Sequence, residues 1–225
     1  MSFDGVTVCF DMDGTLVDTA PDLVAAMNHV LKANGFDTVA YDNGKTMIGQ
    51  GAAAMIKSGL DLLGEQVSVE QLRLMESAFA AHYDENFAEK SAVFGGADLA
   101  LRELRNLGCN LVVCSNTGEQ LVNMILTEFG LRDYFRTICG GDTTEHKKPD
   151  PRPLQHVVSI SGGTSSRSVM VGDSETDIEA AKRADMPVIA FDFGYSKTPV
   201  NQLNASAVLS SYTLLPATIS DIMMH

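Results

Sequence analysis

Asp11 and Asp13 follow an apolar run at residues 6–10 and come directly before Gly14. Side chains two positions apart on an extended backbone point the same way, so the two carboxylates are expected to converge where this strand ends. Open α/β sheets bind ligands at that edge, and a glycine there allows a sharp turn. Adjacent carboxylates repel each other unless they share a proton or a cation. The pair therefore predicts a site for a hard divalent cation such as Mg²⁺, with one carboxylate left for chemistry.

Three further polar clusters stand at or near the ends of later apolar runs. They are Ser115-Asn116-Thr117-Gly118, the pair Lys147-Lys148 before Pro149, and Gly172-Asp173-Ser174-Glu175-Thr176-Asp177. Each cluster, like the first aspartate pair, has a local explanation as a turn or a helix N-cap. Together they would place a cation site, an anion-binding hydroxyl, a balancing lysine and a spare carboxylate in one pocket.

Helices and strands alternate from residue 97 onward. Helices are predicted at residues 97–107, 119–129 and 175–184, with another after Pro153. Strands are predicted at residues 109–114, 137–139, 168–171 and 188–191, with 207–209 as a candidate for a last strand. The strand runs are continuously apolar, which is typical of parallel strands covered on both faces. The sequence therefore predicts a doubly wound parallel α/β sheet.

The segment between the first strand and residue 97 shows helical patterns and no convincing strand. Helices are predicted from Pro21 to Gly35, at residues 52–63 and at residues 68–87. A helical segment of this length is too large for a crossover, so we interpret it as an inserted cap above the aspartate pair. The expected division is an α/β core of residues 1–17 and 93–225, with a helical cap of residues 18–92.

Charge and cysteine content narrow the class of protein. The 225 residues carry a formal net charge of −13, which argues against nucleic acid or an anionic membrane as partner. The four cysteines lack metal-site spacing and are expected to be buried, reduced thiols. No signal peptide or membrane-length apolar run is apparent in the sequence, so a cytoplasmic protein is expected.

In order and spacing, the four clusters resemble the four motifs of the haloacid dehalogenase superfamily. Finer features resemble its phosphoglycolate phosphatase-like branch: Asp18-Thr19-Ala20-Pro21-Asp22, Ile48-Gly49-Gln50-Gly51, Gly140-Gly141-Asp142 and Phe193-Gly194-Tyr195. Two segments depart from that branch. Relatives often carry Lys-Pro where this chain has Thr117-Gly118, and Tyr-Pro-Gly where it has Phe94-Gly95-Gly96.

The resemblance implies a role for each acidic residue and for one lysine. Asp11 would be the nucleophile that forms an aspartyl-phosphate, and Asp13 the general acid and base. Lys148 would offset the negative charge of the phosphate. Asp11, Asp173 and the backbone carbonyl of Asp13 would hold Mg²⁺, and Asp177 would orient water or Lys148.

The resemblance also implies how the substrate is held. Ser115 and Asn116 would bind the transferring phosphoryl oxygens. The cap residues Gly49, Gln50 and Gly51 would contact the organic end of the substrate, although the two glycines have an equally good explanation as turn formers. The cap would close over the leaving group and exclude bulk water.

The implied reaction is hydrolysis of a small phosphomonoester, with phosphoglycolate as the first candidate. Phosphoryl transfer of the β-phosphoglucomutase kind, pyrophosphatase activity and nucleotidase activity would use the same core. A phospho-accepting signalling module is an alternative of another class, but such modules lack a large helical insertion. The expected partner is a small-molecule phosphate, without nucleic acid or membrane, on a monomer or homodimer.

Overall fold

The computed structural model describes residues 3–224. Within that part of the chain the strands are β1 (Thr7–Phe10), β2 (Val17–Asp18), β3 (Ala92–Val93), β4 (Asn110–Cys114), β5 (Thr137–Cys139), β6 (Ser168–Gly172), β7 (Val188–Phe191) and β8 (Ala207–Leu209). The helices are α1 (Ala20–Ala33), α2 (Tyr41–Lys45), α3 (Ala52–Leu63), α4 (Val69–Asn86), α5 (Ala97–Asn106), α6 (Glu119–Glu128), α7 (Arg152–Ile160), α8 (Glu175–Arg183) and α9 (Leu215–Met224).

Six strands form one parallel sheet in the order β5-β4-β1-β6-β7-β8. Side chains alternate between its faces, so Val8 and Phe10 join one apolar cluster while Cys9 joins the other. Helices α5, α6 and α9 contribute to the first cluster, and α7 and α8 to the second. This arrangement confirms the predicted doubly wound α/β fold.

Helices α1–α4 all lie in the part of the chain between β1 and α5, the helix that precedes the next strand of the sheet. They pack against one another, and their buried residues include Met27, Ile56 and Phe79. The prediction of no strand in this stretch was wrong, because β2 and β3 pair antiparallel through Val17 opposite Val93. Each has two residues, which is too short for any hydrophobic period to be read from the sequence.

The Asp22 carboxylate ties the beginning of α1 to the returning chain. It accepts hydrogen bonds from the Lys90 N–H at 3.0 Å and from the Ser91 N–H at 2.8 Å. The Ser91 hydroxyl donates to the same carboxylate at 2.7 Å. The outgoing and returning segments are therefore fixed to each other beside the sheet edge.

Most predicted elements agree with the structure to within two residues at each end. The sequence did not predict α2, which has five residues and contains Gly44, or α9 near the end of the chain. None of the described helices has the length and apolar character required to span a membrane.

Candidate active site

The sheet topology brings the ends of three strands together. Strand β1 lies between β4 and β6, with Phe10 in register with Val113 on one side and Val171 on the other. All three strands run in the same direction, so the residues that follow them emerge at one edge. Asp11 follows β1 directly, and Ser115 and Asp173 follow β4 and β6.

Lys148 lies between two carboxylates at this edge. Its Nζ is 2.9 Å from Asp11 Oδ1 and 2.6 Å from Asp177 Oδ1, and all three side chains are buried. Burial disfavours the charge on Lys148, but the two carboxylates outweigh that effect and raise its pKa above the ordinary value. Lys148 is therefore a fixed positive charge next to Asp11.

Asp173 is held from both sides by groups distant in the sequence. Thr15 Oγ1 donates to its Oδ1 at 2.9 Å, and the Tyr195 N–H donates to its Oδ2 at 2.7 Å. Gly14 makes room for this carboxylate, because its φ is +82° and a Cβ there would lie 2.5 Å from Asp173 Oδ2. A side chain at position 14 would displace the carboxylate.

Asp11, Asp173 and Asp177 form a buried acidic cluster whose ligand oxygens lie within 4.8 Å of one another. Burial and the charge of Asp177 raise the pKa of Asp11 to about 7, although Lys148 opposes the shift. Burial, together with the charges of Asp177 and Asp11, also raises the pKa of Asp173. The three carboxylates carry more negative charge than the one ammonium of Lys148 can balance. Their oxygens are ligands that fit a hard divalent cation.

Asp177 also fixes the beginning of α8. Its Oδ2 accepts from the Ser174 hydroxyl at 2.7 Å and from the Ser174 N–H at 3.1 Å, which completes a capping box. One oxygen of Asp177 thus anchors the helix while the other contacts Lys148. This division suits a positioning role better than direct coordination of a cation.

The Asp13 carboxylate points to two threonines and lies outside the acidic cluster. Thr19 Oγ1 donates to its Oδ1 at 2.6 Å and Thr117 Oγ1 donates to its Oδ2 at 2.7 Å. Burial raises the pKa of Asp13, and the two threonine hydrogen bonds oppose the rise because they stabilise the ionised form. The structure therefore gives the two neighbouring aspartates different surroundings.

Ser115 and Asn116 follow β4 and have different side-chain partners. Ser115 Oγ accepts from the Thr117 N–H at 3.1 Å, and the Ser115 hydroxyl, which keeps a proton to donate, also lowers the pKa of the neighbouring Asp13. The Asn116 amide donates to the carbonyls of Gly49 at 2.8 Å and Lys148 at 2.9 Å, and it accepts from the Lys148 N–H. Both hydrogens of the Asn116 side-chain amide are therefore hydrogen-bonded to backbone carbonyls.

A cavity of about 390 Å³ lies between α1, α3 and α4 and the sheet edge. Its core side includes Asp11, Asp13 and Ser115, and its apolar side includes Met55 and Phe79. Of the three predicted cap contacts, Gly49 and Gly51 line the cavity, whereas Gln50 is exposed and is not among the lining residues. Both glycines have positive φ, +112° and +93°, so both also serve as turn formers.

Several residues of the site were not assigned a role from the sequence. Thr15, Thr19 and Tyr195 each contact an active-site aspartate or its neighbour, yet they lie in loops that show no hydrophobic period. The Tyr195 hydroxyl also donates to Asp18 Oδ1 at 2.7 Å. The available signals were the resemblances of Asp18-Thr19-Ala20-Pro21-Asp22 and Phe193-Gly194-Tyr195 to the phosphoglycolate phosphatase-like branch.

Comparison with known proteins identifies proteins that are similar to this chain in sequence and in structure. Residues 8–191 match the sequence profile of the haloacid dehalogenase-like hydrolases. Phosphoglycolate phosphatase from Caulobacter vibrioides is 37% identical over 213 residues, which cover 95% of this chain and 90% of the relative. The protein of the same name from Agrobacterium fabrum is 38% identical over 206 residues, covering 92% and 88%.

A solved structure from Haemophilus somnus, described as a predicted phosphoglycolate phosphatase, has the same fold. It superposes with a TM-score of 0.91 at 26% sequence identity. The superposition covers 97% of this chain and 99% of the other. The agreement thus includes the helical insertion as well as the sheet.

Proposed function

The chain belongs to the haloacid dehalogenase-like hydrolase family, and on that premise we propose that it hydrolyses phosphoglycolate with Asp11 as the nucleophile. The observation that carries the proposal is the position of Asp11, which lines the cavity at the end of β1, 2.9 Å from Lys148. The relatives named phosphoglycolate phosphatase support the choice of substrate.

Asp11 attacks phosphorus and displaces the ester oxygen in the first step. Lys148 Nζ and the Met12 N–H both contact Oδ1 of Asp11, so we assign the attack to Oδ2. The Lys148 ammonium favours the ionised carboxylate and offsets its repulsion from the phosphate. Breaking the phosphorus–oxygen bond releases glycolate and leaves an aspartyl-phosphate.

Asp13 donates a proton to the departing ester oxygen and then accepts one from the water that hydrolyses the aspartyl-phosphate. The raised pKa of Asp13 suits both duties, because a group with a pKa nearer neutrality can hold and release a proton there. Thr19 and Thr117 fix the direction of its carboxylate. We therefore assign proton transfer to Asp13 and not to Asp11.

The phosphoryl oxygens are held by the residues that follow β4. The Ser115 hydroxyl has a proton to donate and lines the cavity beside Asp13. Asn116 contributes through its backbone N–H, because its side-chain amide is bonded to Gly49 and Lys148. Its side chain thereby positions Lys148 next to Asp11.

Mg²⁺ is the cofactor that we propose for the acidic cluster. The side chains of Asp11 and Asp173 would hold it, with the backbone carbonyl of Asp13 as the family resemblance implies. Bound there, Mg²⁺ would supply positive charge that favours ionised carboxylates and the transferring phosphate. Asp177 keeps Lys148 in place, 2.6 Å away.

We propose that residues 18–92 form a cap on a core of residues 1–17 and 93–225. The boundaries fall within β2 and β3, where the chain leaves the core and returns to it side by side. In this proposal α1, α3 and α4 enclose the leaving group. Gly49, Gln50 and Gly51 form the edge of the cap, where the Gly49 carbonyl contacts Asn116. Closure over the substrate would exclude bulk water from the aspartyl-phosphate.

The cavity also provides a cation for the carboxylate of phosphoglycolate. Lys147 lines it, and Lys147 Nζ is 3.7 Å from the place where a Cβ on Gly51 would stand. Among the described residues that line the cavity, Lys147 is the one with a cationic side chain. We assign it to the mouth of the site, where it attracts an anionic leaving group.

The remaining proposals concern location and assembly. The four cysteines are free and buried, which supports a reducing compartment such as the cytoplasm. The protein acts on its small-molecule substrate as a monomer or a homodimer, and we propose neither nucleic acid nor membrane as a partner.

The test is phosphate release from phosphoglycolate, β-glucose 1-phosphate, pyrophosphate and nucleotide monophosphates, with Mg²⁺ or with EDTA. We expect the highest kcat/KM for phosphoglycolate and loss of activity in EDTA. Phosphate release from another substrate alone would overturn the choice of phosphoglycolate. Conversion of β-glucose 1-phosphate to glucose 6-phosphate without release of phosphate would favour a mutase instead.

A further inference from the structure

Tyr83 carries a buried hydroxyl that the fold leaves without a hydrogen bond. Its side chain is on α4, and the residue is 1% exposed. Within residues 3–224 its hydroxyl is the one buried side-chain polar atom that has no hydrogen-bond partner. Buried polar groups are nearly always paired, so this exception calls for a physical reason.

The Tyr83 side chain lines the cavity that also contains Asp11 and Asp13. Burial raises its pKa well above the ordinary value, and the charges of Asp13 and Asp22 raise it further, so the hydroxyl keeps its proton. The Thr19 hydroxyl, which gives its proton to Asp13, lies close enough to Tyr83 to lower this pKa, but the two hydroxyls do not have the geometry of a hydrogen bond. Tyr83 is thus a protonated donor beside the general acid.

Packing does not require the hydroxyl. Met75, Phe79 and Tyr83 recur at intervals of four residues and form the buried face of α4. The Tyr83 ring packs against Phe79 with 5.9 Å between ring centroids. A phenylalanine at position 83 would fill the same space, and it would avoid burying an unpaired polar atom.

A ligand in the cavity would give this hydroxyl its partner. Asp13 donates its proton to the ester oxygen, so the leaving group must lie between Asp13 and the cap. An acceptor on the carbon next to the ester carbon would then lie on the Tyr83 side of the cavity. Lys147 is the cationic side chain of the cavity lining, which also includes the acidic side chains of Glu76, Asp84 and Asp142. The Lys147 ammonium favours a leaving group whose acceptor is anionic.

We infer that Tyr83 is a specificity-determining residue whose hydroxyl donates a hydrogen bond to a carboxylate oxygen of the leaving group. This inference rests on the proposed phosphatase reaction and narrows its substrate class. The site selects phosphomonoesters with a carboxylate one carbon away from the ester carbon. Esters of the same length that lack this acceptor leave the hydroxyl unpaired and are discriminated against.

The test compares Tyr83→Phe with the wild-type enzyme on phosphoglycolate and on ethyl phosphate, in which a methyl group replaces the carboxylate. We expect Tyr83→Phe to lower kcat/KM for phosphoglycolate by about 10- to 100-fold. We expect ethyl phosphate hydrolysis to change less than about twofold, because that substrate has no acceptor for the hydroxyl. Tyr134→Phe, which alters a partly exposed tyrosine outside the cavity lining, should leave both substrates unchanged.

Each outcome separates this inference from the reaction on which it rests. An equal loss on both substrates, or no loss on either, would overturn the role of Tyr83 while wild-type turnover of phosphoglycolate upholds the reaction. Wild-type enzyme without activity on phosphoglycolate would overturn both. As a second readout, glycolate should inhibit Tyr83→Phe more weakly than wild type by a similar factor, and equal inhibition would count against the inference.

Discussion

The Thr117 hydroxyl donates a 2.7 Å hydrogen bond to Oδ2 of Asp13, across 104 positions of sequence. Relatives of the phosphoglycolate phosphatase-like branch often have lysine at this position. A lysine would bring a positive charge to this position, whereas Thr117 donates a hydrogen bond to the carboxylate without adding a charge. We therefore expect the departure at Thr117 to affect the pKa of Asp13, the proposed general acid and base.

Thr117→Val tests that relationship. Removing a hydrogen bond to the ionised form raises the pKa of Asp13 further, so the limb of the pH–rate profile that Asp13 controls should move to higher pH. We expect a shift of about 0.5 to 1 pH unit in kcat. Thr127→Val on the exposed side of α6 is the matched control and should leave the profile unchanged. A limb that stays in place or moves to lower pH would contradict the role of Thr117.

The acidic cluster predicts how the stability of the metal-free protein depends on pH. The folded-state pKa of Asp11 is about 7, above the value of about 3.9 in an unfolded chain. Between these values the folded state binds more protons, so the free energy of unfolding falls as pH rises through this window. We expect a loss on the order of 2 kcal/mol between pH 5 and pH 8 in EDTA.

Magnesium should weaken this dependence of stability on pH. A divalent cation favours the ionised carboxylates, so Mg²⁺ should raise the unfolding midpoint more at pH 8 than at pH 5. Urea unfolding at both pH values, with Mg²⁺ and with EDTA, measures the effect. Equal stability of the metal-free protein at the two pH values, or equal protection by Mg²⁺, would contradict the proposed cation site.

The sequence predicted the neighbourhood of the acidic residues because parallel strands end at one edge. Asp11 and Asp173 follow neighbouring strands, so their proximity needs only the fold class. The ion pair between Lys148 and Asp177 could not be derived in the same way. It depends on a loop conformation after β5 and on the first turn of α8, neither of which has a repeating pattern.

The sequence does not show whether a site residue acts through its side chain or through its backbone. Asn116 was expected to hold phosphoryl oxygens, but its amide is bonded to carbonyls on two other segments. Tyr83 looks like any other apolar position of α4, since its packing face matches that of Met75 and Phe79. The unpaired hydroxyl can be recognised only when all of its neighbours are known.

Asn116→Ala tests whether the amide positions Lys148. The change removes three hydrogen bonds and leaves the Gly49 and Lys148 carbonyls without this donor. We expect the free energy of unfolding to fall by about 1–3 kcal/mol, and kcat/KM for phosphoglycolate to fall by about 10- to 100-fold.

The matched control for this prediction is Asn123→Ala. Asn123 is partly buried and, like Asn116, donates to a backbone carbonyl, that of Glu119, but it lies on α6 outside the cavity lining. We expect that variant to lose stability while keeping kcat/KM. Equal loss of kcat/KM in both variants would show that general destabilisation, and not the position of Lys148, causes the effect.

The most direct measurement of the central claim is phosphate release from phosphoglycolate by Asp11→Asn in saturating Mg²⁺. The amide keeps the shape of the side chain but is a poor nucleophile, so we expect kcat to fall by at least about 10³-fold. Circular dichroism should show an intact fold, and Asp61→Asn on the exposed side of α3 should keep full activity. Substantial turnover by Asp11→Asn would contradict the assignment of Asp11 as the nucleophile.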